Sequence, residues 1–206
     1  MKQRGTLGKI ILNSLLTLVM IVITFIGIAL GTGMTAHAED NNYLTFTGTK
    51  AFTIKAPKRW NGTLYYSKDA NNWTEWDGSE IYSADSGNYV LYLRGTGNSI
   101  ITGSPDDDVY SWKIASEGTV ACSGDIRSLL DYNDLNNTTM QNCCFIYMFE
   151  GCTSLTQAPS LPATNLANYC YEDMFYGCTS LTKRHPCQPP LLQIIVMMVC
   201  FTHVQA

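Results

Sequence analysis

One stretch of the chain occurs twice, and this repetition limits the possible folds more than any other feature. Residues 142–156 align with residues 168–182, a spacing of 26 positions, and both contain Met-Phe-x-Gly-Cys-Thr-Ser-Leu-Thr without a break. A unit of this length cannot bury its apolar side chains alone, so it needs similar units packed against both sides. The repeat therefore predicts a solenoid of stacked coils.

The apolar residues of the second copy indicate the local structure of one coil. Leu166, Cys170 and Met174 recur every four residues and would form one apolar stripe on an α-helix. Residues 164–165 are suited to cap the start of this helix. Gly177 is placed to end it in a left-handed conformation. The pattern predicts a short helix in each coil.

A very short strand is expected to follow each helix. Residues 154–156 and 180–182 suit such a strand, and Pro159 and Pro162 exclude a long one because proline cannot donate to a sheet ladder. The predicted repeat core consists of the apolar residues of these elements, namely Leu155, Leu166, Cys170, Met174, Phe175, Cys178 and Leu181.

The repeat resembles a known family of bacterial sequences. Residues 158–182 read Ala-Pro-x-Leu-Pro-Ala-Thr-x-Leu-Ala-Asn-Tyr-Cys-Tyr and then Met-Phe-Tyr-Gly-Cys-Thr-Ser-Leu-Thr. They are similar to the BspA-like leucine-rich repeats of exported proteins from gut and oral bacteria. The resemblance covers about residues 123–183. It implies a solenoid surface used for adhesion or host contact, and it implies no catalytic residues.

The repeat stops abruptly after Lys183. Codons CGC CAC CCT TGC CAG encode residues 184–188, and one added G changes them to Ala-Pro-Pro-Leu-Pro. Permitted codons in that frame continue into a third copy that matches residues 158–180 at 18 of 23 positions. We therefore predict that residues 184–206 are a frameshifted, non-native tail, which leaves a truncated array. The alternative is a genuine hydrophobic segment, and the nucleotide sequence distinguishes the two.

The start of the chain has the pattern of a secretory signal peptide. Lys2, Arg4 and Lys9 precede an apolar run over residues 15–30, and small residues lead to a predicted cleavage position after Ala38. The alternative is an uncleaved anchor, since the apolar stretch approaches the roughly 20 residues that span a bilayer. We expect a protein that is secreted or held at a bacterial cell surface, with no membrane span after cleavage.

Residues 39–120 have the pattern of antiparallel β-strands. Turn-forming pairs at residues 61–62, 77–78 and 86–87 separate segments in which apolar residues alternate with polar ones. The pattern predicts a small all-β sandwich-like domain, followed over residues 121–183 by a short α/β leucine-rich-repeat solenoid. Much of the core of the β domain is expected to come from four tryptophans, Trp60, Trp73, Trp76 and Trp112.

Aromatic residues in this segment have two interpretations. Tyr65, Tyr66, Trp73 and Trp76 would form a stacking platform for sugars if they shared one face of the sheet. The second interpretation is ordinary core packing with cross-strand pairing, and we favour it. Residues 67–73 approach the Asp-box hairpin of sialidases, although the spacing is one residue short and the glycine is missing. Such a hairpin is a structural turn.

Charge and composition argue against several functions. The net charge of −4 gives no basic surface for nucleic acid. Histidine occurs only at His37 in the signal segment and at His185 and His203 in the suspect tail, which removes Ser-His-Asp, Cys-His and zinc-hydrolase chemistry. Residues 106–108 are three aspartates that suit a solvated turn better than a calcium loop. We predict no metal and no cofactor.

Cysteine spacing also argues against a disulfide framework. Cys144 and Cys170 are equivalent in the repeat, as are Cys152 and Cys178. Equivalent cysteines in stacked coils are expected to be small buried apolar residues, although a bridge through Cys122 or Cys143 remains an alternative.

The predicted protein is a surface adhesin or binding protein rather than an enzyme, with a host or matrix protein or a glycan as its partner. One alternative is a carbohydrate-binding module in the β domain with the repeats as a stalk. Another is a secreted glycosidase that depends on carboxylates.

Overall fold

The computed structural model describes residues 42–85, 87–103 and 111–182. The predicted signal peptide, the aspartate triplet and the tail from residue 184 lie outside these residues. The described residues form nine strands: β1 (Leu44–Gly48), β2 (Phe52–Lys55), β3 (Thr63–Ser67), β4 (Thr74–Trp76), β5 (Ile81–Tyr82), β6 (Tyr89–Thr96), β7 (Lys113–Ser116), β8 (Val120–Ser123) and β9 (Leu155–Gln157).

Two sheets contain these strands. A six-stranded sheet has the order β4-β3-β6-β1-β8-β9, and a three-stranded sheet has the order β5-β2-β7. Every pairing is antiparallel except that of β8 with β9, which is parallel. The described part of the chain is thus mostly β-structure, as the sequence predicts for residues 39–120.

The buried faces of the two sheets contribute to one apolar core. Residues that the alternation assigns to the inside are buried, including Leu44 and Phe46 in β1 and Leu91 and Leu93 in β6, all fully buried. Apolar side chains of the smaller sheet belong to the same cluster. This arrangement is consistent with the predicted sandwich, and it results from period-2 patterning with one apolar face per strand.

Three of the four tryptophans lie in this core. The Trp60 and Trp76 rings stack with their centroids 5.4 Å apart, and Trp76 meets Trp112 edge to face at 5.2 Å. Trp73 is different, because it lies half-buried on the other face of the six-stranded sheet. The prediction that Trp73 supplies core volume is therefore wrong.

The helix predicted in each repeat is also absent: residues 142–151 and 168–177 form consecutive turns. In the first copy the N–H groups of Ile146 and Met148 donate to carbonyls three residues earlier. Every fourth residue has a positive φ, which an α-helix excludes. These residues are Cys143 (62°), Tyr147 (54°) and Gly151 (68°), and in the second copy Tyr169 (59°), Asp173 (47°) and Gly177 (72°).

The backbone hydrogen bonds explain why turns replace the helix. Alternate N–H groups of the first copy donate to carbonyls of the second copy, 25 residues further along the chain, over distances of 2.8–2.9 Å. The five bonds run from Cys143 to Asn168, Phe145 to Cys170, Tyr147 to Glu172, Phe149 to Met174 and Gly151 to Tyr176. A donor engaged with the neighbouring copy cannot also close a helical turn within its own copy.

Ring stacking follows the same register. The Phe145 ring stacks on Tyr171 with the centroids 5.6 Å apart, and Phe149 stacks on Phe175 at the same distance. Both pairs are nearly parallel, with interplanar angles of 16° and 12°. Equivalent residues of the two copies are therefore direct neighbours.

The short strand predicted at residues 154–156 is present as β9. In the described part of the second copy no strand forms at residues 180–182, where a single bond of 3.3 Å joins the Thr182 N–H to the Thr156 carbonyl. Of the predicted repeat core, Leu166 is partly buried and packs against the core. The other members are buried, namely Leu155, Cys170, Met174, Phe175, Cys178 and Leu181.

The first copy is covered on its other side by residues of the chain between β6 and β7. The Ile101 N–H donates to the Cys144 carbonyl, and the Trp112 N–H donates to the Met148 carbonyl. The Phe149 ring lies 6.2 Å from that of Trp112. The core is thus continuous from the sheets into the repeats. The domain boundary at residue 120 stays a prediction.

Candidate functional site

The four residues predicted as a sugar platform do not share one face. Trp76 is only 1% exposed, and Tyr66 packs against the core on the same side of the six-stranded sheet. Tyr65 lies on the opposite face, since successive side chains of a strand alternate. Trp73 is half-buried on that outer face. The complete platform is therefore not assembled, because Trp76 is enclosed in the core.

Trp73 belongs instead to a group of side chains around Arg94. The Arg94 guanidinium carbon lies 3.9 Å from the Trp73 ring centroid and 4.0 Å from the Tyr132 ring centroid, so two rings flank the cation. Tyr43 contacts both Trp73 and Tyr92, with centroid separations of 5.7 and 5.2 Å. We call this group, with Tyr65, the Arg94 cluster.

Strand pairing places the Arg94 cluster on the outer face. In β6, Leu91 and Leu93 point into the core, which directs Tyr92 and Arg94 outward. Tyr65 lies directly opposite Arg94 in the pairing of β3 with β6. The alternation of β6 could therefore have predicted that Tyr92 and Arg94 share the outer face. The contact between Arg94 and Tyr132 could not have been predicted in this way, because no local pattern connects the two residues.

The loop before β4 positions Trp73. The Asp69 carboxylate accepts hydrogen bonds from the backbone N–H groups of Asn71 and Asn72, at 2.9 and 2.8 Å, and these bonds hold the pKa of Asp69 well below its usual range. The Trp73 indole N–H donates to the Ala70 carbonyl at 3.1 Å. This segment is the one that approaches the Asp-box sequence, and its role here is a turn that fixes one aromatic ring.

The repeats provide a second exposed surface. Tyr169 is 56% exposed and Tyr176 is 43% exposed, and both belong to the turns of the second copy. Asn168, beside Tyr169, is also exposed, and its backbone N–H donates to the side-chain oxygen of Asn142 in the first copy at 3.2 Å. We call these exposed polar and aromatic side chains, Tyr169, Tyr176, Asn142 and Asn168, the repeat surface.

A shallow depression of about 540 Å³ lies on the three-stranded sheet. Tyr82, 56% exposed, forms part of its lining together with Phe52, Thr53 and Ser116. The Tyr82 hydroxyl donates to Glu80 at 2.9 Å, and this bond raises the pKa of Tyr82. Of the described residues that line it, only Glu117 carries a carboxylate, so the lining offers no carboxylate pair.

The six cysteines of the described chain are buried, and none of them forms a disulfide with another. The Cys178 thiol donates to the Phe149 carbonyl at 3.0 Å, and the Cys152 thiol to the Trp112 carbonyl at 3.2 Å. Burial raises the pKa of Cys152 to about 11 and those of Cys170 and Cys178 to about 12. A thiol with a raised pKa is a poor nucleophile at neutral pH. These cysteines therefore act as packing residues.

These thiols predict that stability decreases at alkaline pH. An unfolded cysteine has a pKa of about 8.5, so above that pH the unfolded chain loses thiol protons that the folded chain retains. Each such thiol should lower the free energy of unfolding by about 1.4 kcal/mol per pH unit, up to its folded pKa. Urea denaturation under reducing conditions at pH 7.5, 9 and 10 measures the slope. The variant Cys178→Ala should show a smaller slope, and equal slopes would contradict the assignment.

Comparison of the chain with protein-family models, curated proteins and solved structures gave no match. The described residues contain no group of three or more His, Cys, Asp or Glu side chains arranged to hold a metal ion. They also contain no helix with the length and apolar character needed to cross a bilayer.

Proposed function

We propose that this chain is an exported binding protein of the cell surface that acts through a solenoid of stacked repeats. The observation that carries the proposal is the ladder of five hydrogen bonds between the copies, which keeps a constant offset of 25 residues. A constant offset means that equivalent residues stack, as in quasi-one-dimensional repeat architectures. Export is part of the proposal and rests on the sequence of residues 1–38.

The distribution of side chains favours recognition over catalysis. Phe145, Phe149 and the cysteines point inward and leave no reactive group inside the repeats. Tyr169 and Tyr176 point outward, and tyrosine is among the residues most enriched in protein interfaces because its ring adds contact area while its hydroxyl stays hydrated. The repeat surface is therefore the surface that we assign to a host or matrix protein or a glycan.

The test is a binding measurement with a paired substitution. The chain without residues 1–38 is applied to an array of extracellular-matrix proteins and to a glycan array. Tyr169→Ser combined with Tyr176→Ser should weaken the strongest interaction at least tenfold. Both side chains are exposed, so this change should alter the unfolding free energy by only about 0.5 kcal/mol. The matched control is Tyr82→Ser on the three-stranded sheet, and equal losses in the two variants would refute the assignment.

A second candidate function is carbohydrate binding by the β domain, with the repeats as a stalk. The observation in its favour is that Tyr65 and Trp73 are both partly exposed on the outer face of the six-stranded sheet. Binding to the glycan array that is lost in Trp73→Ala and retained in the Tyr169 and Tyr176 double variant would favour this candidate. The opposite pattern would exclude it.

A further inference from the structure

The Arg94 side chain has an unusual set of partners. Trp73 and Tyr132 cover its guanidinium from two sides, at 3.9 and 4.0 Å from the ring centroids. Within the described part of the chain, no carboxylate lies at ion-pair distance from Arg94 and no hydrogen bond is made by its side chain. Its Nε atom is buried without a hydrogen-bond partner.

The flanking rings leave only one direction for further contacts. A guanidinium carries five N–H donors in its own plane, and none points toward its faces. Cation–π contacts use the faces and satisfy none of these donors. Since Nε is buried, a ligand can approach only along the edge formed by the two terminal nitrogens. The group that matches this edge is a planar carboxylate that accepts two parallel hydrogen bonds.

The neighbouring side chains narrow the type of molecule that carries the carboxylate. Tyr65 lies across the strand pair from Arg94, and Tyr43 and Tyr92 are in ring contact beside Trp73. All of them are partly exposed aromatic residues on one sheet face. Aromatic faces and phenol hydroxyls next to a cation suit a ligand with apolar C–H surfaces, hydroxyls and one acid group.

We propose that the Arg94 cluster binds an acidic saccharide, with the carboxylate of a uronic or sialic acid on the Arg94 edge and the sugar ring against the adjacent aromatic side chains. This inference rests on the second candidate function and adds the chemical class of its ligand. Tyr132 is a positioning residue in this site, because its backbone N–H donates to the Gly95 carbonyl at 2.9 Å and so holds its ring against Arg94.

The experiment compares acidic saccharide probes with neutral ones. Trigalacturonic acid and galactotriose share their ring stereochemistry, and sialyllactose and lactose extend the comparison to sialic acid. Binding of each probe to the full chain is measured by calorimetry at low salt. We expect at least a tenfold preference for one acidic probe over its neutral partner, and the preferred pair distinguishes a uronic from a sialic acid ligand.

Two variants test the role of Arg94. Arg94→Met keeps an unbranched side chain between the two rings and removes the charge, so it should abolish the acidic preference while its melting temperature stays near that of the parent. Lys55→Met removes an equal charge from the exposed last residue of β2 and should leave the preference intact. The proposal would be overturned if the Arg94→Met variant kept the preference for the acidic probe. It would also be overturned if both variants lost that preference to the same extent.

The results also separate this inference from the function on which it rests. Equal binding of acidic and neutral probes, lost in Trp73→Ala, would overturn the acidic site and retain carbohydrate binding. Failure of all four probes to bind, with no glycan bound on the array, would overturn both.

Discussion

Replacing Phe149 with alanine is expected to lower the free energy of unfolding by about 3 to 5 kcal/mol. Phe149 is fully buried, and its ring lies between Phe175 in the second copy, at 5.6 Å, and Trp112, at 6.2 Å. Removal of the ring leaves a cavity that the second copy on one side and Trp112 on the other cannot fill. A loss of this size is a large part of the total stability of an ordinary domain.

Urea denaturation followed by Trp fluorescence measures the loss for Phe149→Ala. The matched control is Tyr176→Ala in the adjacent copy, where the ring is 43% exposed and the expected change is about 0.5 kcal/mol. Phe149→Leu keeps part of the volume and should fall between the two. A change below about 1 kcal/mol in Phe149→Ala would mean that the copies do not stack through this residue.

Asn98→Ala is expected to cost about 3 to 5 kcal/mol, because it leaves one buried and two partly buried backbone groups without partners. The Asn98 side chain accepts from the Gly62 N–H at 2.6 Å and donates to the carbonyls of Thr63 and Leu129 at 2.9 and 3.0 Å. It thereby joins the start of β3 to the 3₁₀ helix Ile126–Leu129, which precedes the repeats. Each orphaned group loses about 1 to 3 kcal/mol of solvation.

Asn61 is the control for this prediction. It also makes three side-chain hydrogen bonds, to Ser99 and Ile100, but it is exposed. Water can replace those bonds, so Asn61→Ala should cost about 1 kcal/mol or less. Chemical denaturation of the two variants side by side measures the difference. If the two variants lost similar amounts of unfolding free energy, burial of the groups bonded to Asn98 would not be the cause of its effect.

The strands were predictable from the sequence because each has one apolar face. Leu91 and Leu93 in β6 alternate with polar residues, and the turn pairs at residues 61–62 and 77–78 fall between strands. The positions of the tryptophans were less predictable. Trp73 and Trp76 are three residues apart, a separation that places them on opposite faces of an extended chain, but the local pattern alone does not say which of them enters the core.

The helix prediction failed for a reason that lies in the repeat itself. An apolar residue at every fourth position, as at Leu166, Cys170 and Met174, fits a helical stripe and fits equally a run of turns with a four-residue period. The two structures differ in where the N–H groups donate, and that depends on the neighbouring copy. Arg94 was missed for a similar reason, since its partners Trp73 and Tyr132 come from distant segments.

The ladder between the copies restricts which changes of length the chain can accommodate. Alternate N–H groups at residues 143–151 face the second copy, so insertion of one residue there would turn the donors away from the carbonyls that they meet. Duplication of a whole 26-residue unit keeps donors and acceptors in step. The length of this array can therefore change by complete units without loss of the ladder, whereas a change of one residue breaks it.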